Sequence, residues 1–123
     1  MKSVPERIRI INTFRKFSRL GLASGRLNAI ECYGRIKGCS KSEREARELL
    51  AVYETLRFLK LSGKTECVEA LCAVYFSLHG RTVRKSEISE RVLGYASESY
   101  CDERTVYRRL SYAVSVYKAL LEM

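Results

Sequence analysis

Two arginines one helical turn apart, Arg104 and Arg108, with Arg109 beside the second, crowd the start of the closing stretch CDERTVYRRLSYAVSVYKALLEM. A guanidinium offers a rigid fork of donors that matches guanine O6 and N7, and the same fork clamps a phosphate. The chemistry available there is recognition of a polyanion, not bond making or breaking. Elsewhere, catalytic constellations are missing. The single histidine, His79, has no nucleophile pattern near it, and carboxylates mostly alternate with cations, as in KSEREARE, the habit of a solvated helix. No glycine-rich phosphate loop occurs. The chain is therefore expected to be no enzyme and to need no cofactor.

Cysteine offers a second possible chemistry, and its spacing argues against it. The five cysteines (Cys32, Cys39, Cys67, Cys72 and Cys101) are an odd number without a CxxC pair. A disulfide framework wants an even count, and a structural zinc site usually shows such a pair. Cys67, Cys72 and His79 can be drawn as three ligands. However, both cysteines lie in an apolar helical run, where small core residues are the better reading. Reduced thiols and no metal are expected.

The arginines need an element to hold them. Asp102 is a good N-cap, and Glu103 sits in the first turn, where the helix dipole favours a carboxylate. Apolar residues then fall at 106, 110, 113, 114, 117, 120 and 121, the rhythm of one buried helical stripe. On the far side Arg104, Arg108, Ser111, Ser115 and Lys118 repeat with the same period. The helix has an oily back and a cationic front. A solvated surface helix has the same pattern, so this stretch alone leaves both readings open.

A chain of 123 residues is one domain, long enough to bury a core. Its net charge of +9 is uneven: residues 1–41 carry ten basic side chains against Glu6 and Glu31, leaving the remainder close to neutral. Such asymmetry suggests a basic helical segment, 1–41, that meets a polyanion, joined to a balanced helical domain, 42–123. No stretch approaches the roughly 20 apolar residues of a membrane span. The opening MKSVPERIRIINTFRKFSRL lacks the apolar run of a secretory signal. A cytoplasmic protein without membrane contact is the expectation.

Strand-like alternation is nearly absent, so the class is all-α. A first helix is predicted from about Val4 to Leu20, ended by GLASG, and a short second one is limited by Gly34 and Gly38. Ser42 with Glu45 reads as a capping box opening a third helix, which Gly63 closes. A fourth starts at a Thr65 cap, with Val68, Leu71, Cys72, Tyr75 and Phe76 inward, and stops at His79-Gly80. Ser86 starts a fifth, with Ile88, Val92 and Tyr95 in line. Within the third, Val52, Leu56 and Leu59 fall outside the stripe of Ala46, Leu49, Leu50 and Tyr53. A contiguous apolar patch there predicts a homodimer or a polymerase-contact face.

The order of the last two helices carries a resemblance. KSEISERVLGY followed by DERTVYRRLSYA has the form of a supporting helix and a recognition helix, a helix-turn-helix at about 86–121. LGY at 93–95 and ERTVYRR at 103–109 resemble the C-terminal helix-turn-helix of sigma factors. They resemble more closely phage and prophage late-gene transcription regulators of the ArpU and RinA type. The match covers about the last third of the chain and departs from the family pattern at Ala96 to Cys101, which intervene before Asp102. Either the supporting helix gains about a turn and a half, or the turn has become a loop.

The resemblance implies a sequence-specific, double-stranded-DNA-binding regulator that recruits or modifies RNA polymerase. It places Arg104, Thr105, Arg108 and Arg109 in the groove-facing part of the recognition helix. Tyr112 is a candidate phosphate contact through its hydroxyl, or it packs on a neighbouring helix. Arg84 and Lys85 sit at a helix N-terminus that attracts phosphate, or serve solubility. Arg9 and Arg15, with the other N-terminal cations, are candidate nucleic-acid contacts or a solvated or polymerase-facing surface. Two other functions remain open: a phage DNA-packaging recognition subunit, and a helical protein-interaction module built on the apolar stretch 52–61.

Overall fold

Pro5 opens the first helix of the structure, a computed structural model that describes residues 5–78 and 84–123. Helix α1 (Glu6–Arg19) buries Ile10, Ile11, Phe14 and Phe17 along one stripe. Gly21 and Gly25, at φ 76° and 75°, bracket a short 3-10 turn over Leu22–Ser24, a backbone glycine adopts without strain. Helix α2 (Ala29–Cys39) starts with a reciprocal capping box. Asn28 accepts the Glu31 N–H at 2.8 Å, and the Glu31 carboxylate accepts the Asn28 N–H at 3.3 Å.

Helix α3 (Glu43–Leu61) has only half of its expected box. Ser42 accepts the Glu45 N–H at 3.1 Å, but the Glu45 carboxylate turns to the Lys41 N–H and to the Lys16 ammonium of α1. The same side chains thereby start α3 and tie it to α1. At its far end Gly63 is left-handed, and the Lys64 N–H reaches the Leu59 carbonyl at 2.8 Å, a Schellman-type close. Helix α4 (Thr65–Ala73) is shorter than predicted; Lys64, not Thr65, stands at its N-cap. Val74, Tyr75 and Leu78 continue the core beyond it in turns. The predicted start at Val4 and stop at His79-Gly80 lie outside the described residues. Helix α5 (Lys85–Glu98) begins one residue before Ser86, and α6 (Glu103–Leu121) begins on the Asp102 cap.

Among the described residues the chain is all-helical, with six α-helices and no strand. Apolar surface must therefore be buried helix on helix. Helix α6 is the hub, packing most extensively on α3, then on α4 and α5. Helix α1 lies across α3, and its Phe14 ring meets Tyr117 of α6 at 5.4 Å and Tyr75 at 5.8 Å. Helix α2 covers the other side of α3. One apolar cluster runs from Ile10 through Tyr117. The charge boundary near residue 41 is consequently not a boundary between cores. None of these helices is long and apolar enough to cross a membrane.

Two expectations are corrected. Helix α2 is short, at 11 residues, but Gly34 and Gly38 do not limit it: both lie inside the helix, where burial of Cys32 and Ile36 outweighs their poor helix propensity. Val52, Leu56 and Leu59 form no docking face: all three are buried within the single chain, which removes the patch that argued for a homodimer. The helix has neighbours over Val52, Leu56 and Leu59, while Phe58 and Leu61 stay exposed.

A Cβ added at Gly34 or Gly38 meets nothing within 4 Å, and neither backbone is left-handed. Gly34→Ala and Gly38→Ala should each raise stability by about 0.5–1 kcal/mol. Gly63→Ala, at φ 74°, should lower it by about 1–2 kcal/mol. Denaturant unfolding of the three variants checks both signs.

Candidate nucleic-acid interface

Helix α6 turns its two stripes as its sequence requires. Val106, Leu110, Ala113 and Tyr117 are buried, while Arg104, Arg108, Ser111, Ser115 and Lys118 are exposed on the opposite side. The helix starts on Asp102, whose carboxylate accepts the Thr105 N–H at 2.7 Å. Hydrogen bonds from the Thr105 side chain and backbone, helped by Arg104 and Arg108 nearby, hold the Asp102 carboxyl below the usual aspartate range. Thr105, expected to face a groove, is partly buried and engaged with the cap. Glu103 is exposed beside the arginines, so this end presents both donors and acceptors.

The segment that departs from the family pattern takes a definite form. Ala96 to Glu98 extend α5, with Ala96 buried, and only Ser99 to Asp102 separate the two helices. The intervening residues are shared: three lengthen α5 by less than one turn, and Ser99 to Cys101 lie in the turn itself. The Cys101 N–H reaches back to the Ala96 carbonyl at 3.1 Å, and Tyr100 between them is left-handed at φ 54°. This is again a Schellman-type end, with tyrosine where glycine is usual.

The remaining candidates divide by place. Arg109 is half-buried and turned from the front: its guanidinium donates to the Tyr95 hydroxyl at 3.4 Å, which donates to Glu69 of α4 at 3.5 Å. It links α6 to α5 and α4. Tyr112 is 40% exposed, beside the front stripe, and Tyr107 faces a groove of about 510 Å3 between α1 and α6. Arg84 and Lys85 are exposed at the start of α5, a 14-residue helix that sets them about 20 Å from the turn. Arg9 is exposed in a cleft with Arg44, Tyr117 and Lys118, about 20 Å along α6 from Arg104. The structure does not bring it to the arginine front.

Arg15 is a correction. Expected as a phosphate contact, it is 4% exposed. It donates to Asn12 at 3.2 Å, and burial, with Arg19 beside it, lowers its pKa against the opposing pull of Glu87. Its charge is used between α1 and α5, where no phosphate reaches it. Cysteine placement differs too: Cys67 is buried, but Cys72, expected in the core, is exposed on another side of α4. Among the described residues no group of three His, Cys, Asp or Glu side chains is placed to hold a metal, and His79 lies outside those residues.

Sequence reasoning missed Tyr100, Glu69 and Tyr95 as parts of this region. The available signal was the lack of any glycine between Gly94 and the Asp102 cap, which forces a helix end onto a residue with a side chain. In comparisons with known proteins, no family model, curated protein or solved structure matches the chain.

The depressed Asp102 pKa has a signed consequence. Ionised Asp102 stabilises the fold above the pKa of an unfolded aspartate, and that contribution disappears as pH falls through the lower folded value. Asp102→Ala should therefore melt below the wild type at neutral pH, with the gap closing as pH drops beneath the ordinary aspartate range. Thermal melts of both proteins across that range check it.

Proposed function

We propose that the chain binds double-stranded DNA sequence-specifically through α5 and α6, acting as a helix-turn-helix. One observation carries this reading. Arg104 and Arg108 stand exposed on the side of α6 opposite its buried stripe, at the end joined to α5 by a four-residue turn. In that arrangement the first turns of α6 enter a major groove while the start of α5 meets the backbone. Arg104 and Arg108 read guanine edges, and Glu103 accepts from a cytosine amino group. Arg84 and Lys85, set about 20 Å from the turn along α5, hold phosphate at the rim of a groove about 12 Å wide.

The regulatory role rests on the resemblance of the last third to late-gene transcription regulators, with RNA polymerase as the proposed partner. The net charge of +9 supports a polyanionic ligand in general terms. Burial of Val52, Leu56 and Leu59 leaves the competing interaction-module reading only Phe58 and Leu61 as exposed apolar residues of the stretch 52–61.

Selection of bound fragments from random duplex DNA supplies the site. Arg104→Ala and Arg108→Ala should each leave the melting temperature nearly unchanged, because neither side chain touches the core. Each should weaken binding to the selected site by about 1–3 kcal/mol and relax preference at one position. Arg84→Ala and Lys85→Ala should instead lower affinity for all sequences and reduce the salt slope by about 1 each. Val106→Asp should unfold the chain as a whole, because it buries an unpaired carboxylate in the one core. Full affinity and selectivity in both Arg104 and Arg108 variants would reduce the front of α6 to a solvated face.

A further inference from the structure

Tyr100 occupies the turn between α5 and α6 in a conformation that tyrosine pays for. Its φ of 54° is the only positive value at a non-glycine among the described residues; the other three, at Gly21, Gly25 and Gly63, are glycines. A side chain is disfavoured there, because its Cβ crowds the backbone. The Cys101 N–H bond to the Ala96 carbonyl holds that backbone in place, but it makes no use of the tyrosine side chain. The side chain is 96% exposed and makes no hydrogen bond or ring contact among the described residues. A strained, exposed aromatic beside a candidate site is an observation that asks for an external partner.

The surroundings indicate what kind. Tyr100 lies two residues before the α6 cap, at the same end as Arg104 and Arg108. Its sequence neighbours Ser97, Glu98, Ser99, Asp102 and Glu103 are polar, whereas a protein-docking aromatic is normally ringed by apolar side chains. Glu98, Asp102 and Glu103 also keep a phosphate from lying directly on this end. Tyr100, 96% exposed, is a long side chain with a neutral donor at its tip.

We propose that the Tyr100 hydroxyl donates a hydrogen bond to a phosphate oxygen of duplex DNA at the edge of the groove that α6 enters. The inference rests on the DNA-binding reading above and adds a contact outside the segment that carries the family resemblance. Its energetic signature differs from that of a cation. A hydroxyl neutralises no phosphate charge and releases no counterion, so its loss lowers affinity for every sequence while leaving the salt slope unchanged.

The test uses the full chain, short random-sequence duplex DNA and the variants Tyr100→Phe and Tyr100→Gly. Tyr100→Gly should melt a few degrees above the wild type, since glycine relieves the left-handed strain. It should nevertheless bind duplex DNA about tenfold more weakly, as should Tyr100→Phe, because a hydrogen bond to a charged oxygen is lost. Both should keep the wild-type salt slope. Wild-type affinity in Tyr100→Phe overturns the proposal even if Tyr100→Gly binds poorly, and so does a flattened slope in either variant. Absence of duplex binding by the wild type is a separate outcome, which sinks the DNA-binding reading itself and this contact with it.

Discussion

Burial of the inward stripe of α6 is the constraint on which the other placements depend. Val106, Leu110, Ala113 and Tyr117 leave solvent together, and α3, α4 and α5 take their positions against them. Helix α1 joins through Phe14, whose ring packs on Tyr117. Tyr117 shows how dry this centre is: burial first, then the nearby Glu48 carboxylate, pushes its phenol up to about 12. A hydrogen bond shared with Thr13 of α1 opposes part of that shift and keeps the hydroxyl satisfied. The helix that presents the arginines is thus also the helix the fold is built around. A rigid element is a better platform for a recognition surface than a loop is.

That dual use divides α6 along its length. Its second half is tied to α1: Tyr117 is buried against Phe14, and Lys118, though exposed, pairs with Glu6 at 3.3 Å. Its first half is open on the outward side and carries Arg104 and Arg108. Arg109 marks the border, since its position one residue past Arg108 rotates it toward Tyr95 and Glu69. A step of one residue on a helix is about 100°, enough to separate an exposed cation from one that bonds a neighbouring helix. The same logic separates Arg9 from Arg15 on α1, one exposed and one enclosed beside Glu87.

What could be read in the sequence was what local rules specify. Asp102 caps α6 because a carboxylate two positions before Arg104 has backbone N–H groups within reach, and Gly63 ends α3 because only glycine takes φ 74° freely. The buried stripe of α6 follows from its period alone. What could not be read depends on partners distant in sequence. Arg15 looks like any surface cation until Glu87 arrives from α5. Helix α2 looks limited by its glycines until burial of Ile36 carries it through both. Val52, Leu56 and Leu59 look like an uncovered patch because their cover comes from other helices. In the candidate site the arginine front was legible, whereas the bonds of Arg109 and the conformation of Tyr100 were not.

The turn between α5 and α6 shows what fixes the direction of the last helix. Three more helical residues at the end of α5 advance its axis by about 4.5 Å and rotate its exit by about 300°. Such a change moves α6 to a new direction unless something fixes the last turn. Ala96 supplies one restraint by packing into the core, and the Cys101 N–H bonded to the Ala96 carbonyl supplies another. Both require the chain to pass through a left-handed residue immediately afterwards, which is where Tyr100 stands. Glycine would meet that backbone demand with less strain, so geometry explains the conformation at residue 100 but not the side chain. That side chain, 96% exposed, contributes nothing to the geometry of the turn.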